Sequence, residues 1–176
     1  QGDATSHHTG GVIDYGGIVI NAGVTFTITD NIRLYNDWTN LGGTFVHGNR
    51  QVTFRGDIPV TITAASGETF YNLNVSRTGG ASITGLVELA DGTDLTVENR
   101  IYLNRGNINL NGQTLTHGVV GNGGDLDIRA ATNYHMYGGT YKRYWTSGPI
   151  ASDVLADAEG MFPMGLSLIH ISEPTR

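Results

Sequence analysis

Ala22-Gly-Val-Thr-Phe-Thr-Ile-Thr-Asp-Asn-Ile-Arg-Leu-Tyr35 returns 69 residues later as Asp91-Gly-Thr-Asp-Leu-Thr-Val-Glu-Asn-Arg-Ile-Tyr-Leu-Asn104. At that offset Gly23 meets Gly92, Phe26 meets Leu95, Ile28 meets Val97, Ile32 meets Ile101 and Leu34 meets Leu103. After a one-residue slip, Gly43-Thr-Phe-Val-His-Gly48 lines up with Gly112-Gln-Thr-Leu-Thr-His-Gly118. Apolar residues at every second position mark strands with one buried face. Repetition of that pattern with its glycines and turns marks stacked coils, each burying its inner face only against its neighbours. A sandwich or meander has no need to repeat its apolar pattern. A solenoid does, because like residues lie above like residues roughly 4.8 Å apart. The offset holds about three coils of roughly 23 residues each, within the range of known solenoids. The expected fold is all-β: a single-stranded parallel β-helix of short coils.

Composition agrees. Glycine makes up 26 of 176 residues, about twice the usual frequency of roughly 7%, and there are 21 Thr and 14 Asn against a single Lys, Lys142. Thr and the β-branched aliphatics suit a pleat, while Gly and Asn tolerate the positive φ of tight turns. Without cysteine there is no disulfide framework, so stability must come from stacking and backbone ladders. The net charge of −6 and the scatter of the nine Arg argue against a nucleic-acid partner. No apolar run approaches the roughly 20 residues of a membrane-spanning helix.

Alternation begins at Val12. Strands are expected at 18–20, 24–28, 32–35, 44–46, 52–54, 60–62, 72–75, 87–89, 94–97, 101–103, 107–110 and 114–116. Gly16-Gly17, Gly42-Gly43, Gly79-Gly80, Asp91-Gly92 and Asn111-Gly112 separate them, as hairpin turns or coil corners. The expected core is Phe26, Ile28, Ile32, Leu34, Val52, Phe54, Val60, Ile62, Leu73, Val75, Val87, Leu89, Leu95, Val97, Ile101, Leu103, Ile108 and Leu110.

Asn36-Asp-Trp-Thr-Asn40, Gln51-Val-Thr-Phe-Arg-Gly56, Thr69-Phe-Tyr-Asn-Leu-Asn-Val75 and Gly106-Asn-Ile-Asn-Leu-Asn-Gly112 resemble repeat units of large secreted β-solenoid proteins of Bacteroidota. The resemblance covers roughly residues 12–165. It extends to Gly139-Thr-Tyr-Lys-Arg-Tyr-Trp145, similar to that family's aromatic strand, and to Met161-Phe-Pro-Met-Gly165, similar to the turn that closes the solenoid. In that family such segments commonly lie upstream of a domain addressed to type IX secretion. The resemblance implies an extracellular or cell-surface protein, adhesin-like or a stalk, with surface glycans or extracellular matrix as partners. It carries over no catalytic, cofactor-binding or metal-binding residue. The expected organisation is a truncated edge of a larger protein at 1–11, a solenoid with an aromatic closing segment at 12–165, and a non-native tail at 166–176. The tail, Leu166-Ser-Leu-Ile-His-Ile-Ser-Glu-Pro-Thr-Arg176, resembles the translation of a transposase-type sequencing adapter. Source DNA that continues differently past Gly165 would establish that origin, and the same codons in genomic DNA would refute it.

A carbohydrate-active enzyme on a β-helix, whether polysaccharide lyase or glycoside hydrolase, is the alternative. It would need carboxylates converging on one face, about 5 to 9.5 Å apart for hydrolysis, or a base beside a charge-neutralising cation. The candidates are Asp91, Asp94, Asp125 and Asp127. Asp91 and Asp125 adjoin glycines and read first as turn residues. Asp125 and Asp127 share one face if they lie on a strand, a geometry that also suits Ca²⁺. Gly121-Asn-Gly-Gly-Asp-Leu-Asp127 departs from the calcium nonapeptide at Val120 and at Asp127, and one copy cannot form a site built from stacked copies. His47 and His117 occupy equivalent positions before glycine and read as turn residues. The threonine pairs Thr25/Thr27, Thr61/Thr63 and Thr114/Thr116 are of a kind that binds ice when stacked flat. Their separations of 36 and 53 residues do not fit one coil length, which favours ordinary strand threonines. Trp38, Tyr141, Tyr144 and Trp145 remain as aromatics that either stack on glycans or cap the open end of the solenoid.

Overall fold

Every strand pairing in the structure, a computed structural model, is parallel. It describes residues 4–6, 11–77, 85–119, 123–128, 135–145 and 167–172. The chain visits three ladders in a fixed cyclic order. The first ladder contains β2 (Val12–Tyr15), β5 (Asn31–Leu34), β8 (Gln51–Gly56), the second halves of β10 (Glu68–Arg77) and β12 (Leu95–Arg105), and β15 (Asp125–Ile128). The second contains β3 (Ile18–Ile20), β6 (Trp38–Asn40), β9 (Val60–Ala64), β11 (Leu86–Leu89), β13 (Asn107–Asn109) and β16 (His135–Tyr137). The third is in two stretches: β1 (Ala4–Ser6), β4 (Thr25–Ile28) and β7 (Thr44–Val46) form a three-stranded sheet, and the first halves of β10 and β12 with β14 (Thr114–His117), β17 (Thr140–Trp145) and β18 (Ser167–Ser172) continue the same side, where Phe45 of β7 meets Phe70 of β10 with ring centres 6.0 Å apart. This is the parallel β-helix that the repeat implies, and the described glycine turns, Gly16-Gly17, Gly42-Gly43, Asp91-Gly92 and Asn111-Gly112, are coil corners rather than hairpin turns. Gly23 and Gly92, equivalent in the repeat, both sit at φ +74°, a conformation that a side chain would strain.

The register explains the 69-residue offset. On the first ladder Ile32 pairs with Val52, Val52 with Leu73 and Leu73 with Ile101. Those steps of 20, 21 and 28 residues span one repeat, so it holds three coils, as expected, but of unequal length. The longest step contains residues 78–84, between β10 and β11, where the expected Gly79-Gly80 turn lies outside the described residues. Corners absorb length differences because a solenoid needs constant register only in its strands.

The core follows the alternation. Of the expected core residues all but Phe26 are buried, and Phe26 is partly buried against it. Three features differ from the expectation. Trp38–Asn40 is a strand, and Trp38 is fully buried, its ring 4.7 Å from Phe45 and 5.0 Å from Phe70, centre to centre. Stretches 94–97 and 101–103 belong to one strand, β12, which turns the corner between third and first ladders through a register shift opposite β10. Such a bulge bends a strand without ending it. Ile18, Ile20, Phe70, Leu115, Met136 and Tyr141 also join the core. Glu68 is buried too: its Oε2 accepts from the Trp38 indole N–H at 2.8 Å and the Asn40 amide at 3.0 Å, and its Oε1 accepts from the Thr69 N–H at 3.0 Å.

β18 extends the third ladder by pairing with β17. An alternating apolar hexapeptide adds to an open parallel edge whatever DNA encodes it. Among the described residues no helix is long and apolar enough to cross a membrane.

Candidate functional site

Every second residue of the first ladder points outward, and the register stacks these residues into rows. One row runs Asp14, Arg33, Thr53, Asn74, Tyr102, Asp127. Beside it lie Gln51, Asn72, Arg100 and Asp125, and on the other side Arg55, Ser76 and Arg105. Stacked polar groups bond along the axis. The Asn99 amide donates to Asn72 Oδ1 at 2.8 Å and Asn104 donates to Asn74 Oδ1 at 2.8 Å, while within β8 Gln51 donates to the Thr53 hydroxyl at 2.9 Å. These bonds restrain side chains that would otherwise be free on the surface. A depression of about 120 Å³ opens among them, lined by Val12, Asn31, Arg33, Gln51, Thr53, Arg55, Asn74 and Ser76.

Asp125 and Asp127 do share this face, as their spacing implies. One guanidinium lies between them. Arg100 Nε is 3.9 Å from Asp125 and its Nη2 3.4 Å from Asp127, while its guanidinium carbon sits 4.4 Å from the centre of the Tyr102 ring. Asp91 accepts from the Asn111 amide at 3.1 Å and Asp94 accepts from the Thr114 N–H at 2.8 Å, so each ties its corner to the next coil. Among the described residues no group of three or more His, Asp or Glu side chains is placed to hold a metal ion.

The two equivalent histidines part company. His47 lies in the turn after β7, its Nδ1 accepting from the Asn49 N–H at 3.1 Å and its ring stacked on Tyr71. That bond leaves the proton on Nε2, which lies 3.3 Å from Glu98 Oε2. His117 is no turn residue. It ends β14, pairs in register with Val97, and is fully buried. Its Nδ1 is 2.7 Å from the Tyr141 hydroxyl and its Nε2 3.3 Å from the Asn99 carbonyl. Burial, reinforced by the Arg143 charge, pushes its pKa down to about 4, and burial raises that of Tyr141. Gly124, at φ +65°, lies against the imidazole where any Cβ would collide with Nε2.

Two of the four aromatic candidates, Trp38 and Tyr141, are interior. Trp38 has no exposed ring face and lies between β3 and β9, so it neither stacks on a sugar nor caps an end. Tyr141 is buried between Leu115 and the backbone of Leu168. Tyr144 is partly exposed on β17, while the Trp145 side chain and residues 161–165 lie outside the described residues.

The third ladder presents a different surface. Thr69, Thr96 and Thr116 stack in register up to Lys142, Thr114 stacks on Thr140, and Thr25 on Thr44. Unequal coils thus bring into line threonines whose sequence separations share no period, whereas Thr61 and Thr63 face out from the second ladder. Sequence reasoning missed Glu68, the Asn ladders and the Arg-lined depression, because each is assembled from residues about 20 to 30 apart. No protein-family model, no curated protein and no solved structure matches this chain.

Proposed function

We propose that this chain is part of a secreted, non-enzymatic cell-surface β-solenoid that serves as an adhesin or rigid stalk, with the outer face of the first ladder as its adhesive surface. The observation that carries the reading is the continuous polar face of amide, hydroxyl and guanidinium groups held in register along the axis. Glycans present hydroxyls along an extended chain, and amides and hydroxyls at strand spacing offer both donors and acceptors to them. Backbone ladders running along the axis supply stiffness. Extracellular placement rests on the resemblance to secreted Bacteroidota solenoids. Binding of the purified chain to immobilised surface and matrix polysaccharides, without turnover, is the expected result. Absence of binding to a broad glycan panel would leave a stalk without an adhesive face.

The alternative, a carbohydrate-active enzyme, is favoured by one observation: two carboxylates beside a guanidinium on this same face, at Asp125, Asp127 and Arg100. Turnover abolished by Asp125→Asn would support it.

A further inference from the structure

We propose that the depression bounded by Arg33 and Arg55 is an anion subsite that takes the carboxylate or sulfate groups of an acidic polysaccharide, an inference that rests on the adhesive reading of this face.

The first ground is charge. The chain has a net charge of −6 and ten cationic side chains, yet Arg33 and Arg55 lie on one face in adjacent coils, with Arg105 on the same face two coils beyond Arg55. Among the described residues Arg33 pairs with Asp14 alone, at 3.8 Å and exposed, a pairing that a competing anion displaces at little cost. Arg55 lines the depression, and no carboxylate among the described residues lies within ion-pair distance of it. Behind Arg55 lies Arg77, fully buried, whose Nη1 donates to the Arg55 carbonyl while its Nε and Nη2 have no hydrogen-bond partner among the described residues. Asp37 and Asp57 are the carboxylates that act on it, at a distance. With no carboxylate bonded to it among the described residues, this buried cation adds a positive field to the face above it.

The second ground is independent of charge and comes from the hydrogen-bond inventory. Asn31 Oδ1 accepts from the Gln51 N–H at 2.9 Å, Asn74 Oδ1 accepts from Asn104, and the Thr53 oxygen accepts from Gln51. Asn31 and Asn74 carry amide N–H groups and Thr53 a hydroxyl at the rim of the depression, beside the two guanidiniums. A lining that sets several N–H and O–H donors around two fixed cations suits a carboxylate or a sulfate, whose oxygens only accept.

The test compares polygalacturonate, dextran sulfate and neutral dextran for binding to the whole chain and to Arg55→Gln and Arg33→Gln/Arg55→Gln, with thermal melting as the control for folding. Acidic polymers are expected to bind in a salt-sensitive manner, dextran not to compete, and affinity to fall about tenfold for each guanidinium removed. The ratio of polygalacturonate to dextran sulfate affinity identifies which anion is preferred. Equal binding of dextran, or unchanged affinity in the double variant, would overturn the anion subsite and leave the adhesive reading standing. No binding by any polymer, charged or neutral, would overturn both.

Discussion

The first and third ladders are built alike on the inside and differently on the outside. Both bury alternate aliphatic residues, Ile32, Val52, Leu73 and Ile101 on the one and Leu95, Val97 and Leu115 on the other. Outside, the first carries Arg, Asn, Gln and Asp, whereas the third carries columns of Thr. If strand propensity alone chose the outward residues, threonine would be spread over both. Among the described residues of the first ladder only Thr53 is a threonine. Strand propensity alone therefore does not set the outward composition, while the inward composition reflects the shared core.

A core truncation should erase the difference between faces. Phe54 is fully buried beside Phe70, and Phe54→Ala removes a ring that no neighbour can replace. A loss of about 3–5 kcal/mol is expected in chemical denaturation, with both ladders losing protection together. Loss of one ladder alone would show that they are separate units.

Acid should act on the third ladder first. His117 has a folded pKa of about 4, below the 6.5 of an unfolded histidine, because burial disfavours the imidazolium. The unfolded chain therefore takes up the proton first. Stability from the neutral ring is complete above pH 6.5 and is lost as pH falls toward 4, by about 3 kcal/mol when protonation is complete. Denaturation midpoints measured between pH 8 and pH 4 check this, and His117→Gln should flatten the profile. A profile that is unchanged in that variant would place the acid sensitivity elsewhere.

The smallest effects separate the faces most cleanly. Thr96→Ala removes one member of a stacked threonine column and should cost about 0.2–1 kcal/mol in stability. Arg55→Gln should cost less than about 0.5 kcal/mol, since its side chain makes no ion pair among the described residues, yet it should weaken polyanion binding. Equal effects of the two variants on binding would dissolve the distinction.

The fold was legible because the inward period of two survives in nearly every coil. What escaped is non-local or locally atypical. Trp38–Asn40 is only three residues long and follows Asn36 and Asp37, so it has no place among the expected strands, and it is held by Glu68 from β10. Glu98-Asn99-Arg100 reads as a break between strands because three polar residues interrupt the alternation, whereas the chain uses them to turn a corner. His117 was matched to His47 by its place before a glycine. β7 stops at Val46, leaving His47 in a turn, while β14 continues through His117 and carries it inward. The depression was invisible because its lining comes from four strands whose spacing depends on corner lengths that the sequence does not announce.

All of this depends on register, and cysteine pairs test it directly in a chain that has no cysteine of its own. Thr53 and Asn74 are register partners on the first ladder and Thr69 and Thr96 on the third, at a strand spacing of roughly 4.8 Å that a disulfide can bridge. The account expects Thr53→Cys/Asn74→Cys and Thr69→Cys/Thr96→Cys each to form an intramolecular disulfide on mild oxidation. Cross-linking of Thr53→Cys/Thr61→Cys instead, as an antiparallel hairpin of β8 and β9 would produce, would contradict the solenoid and the separate faces that follow from it.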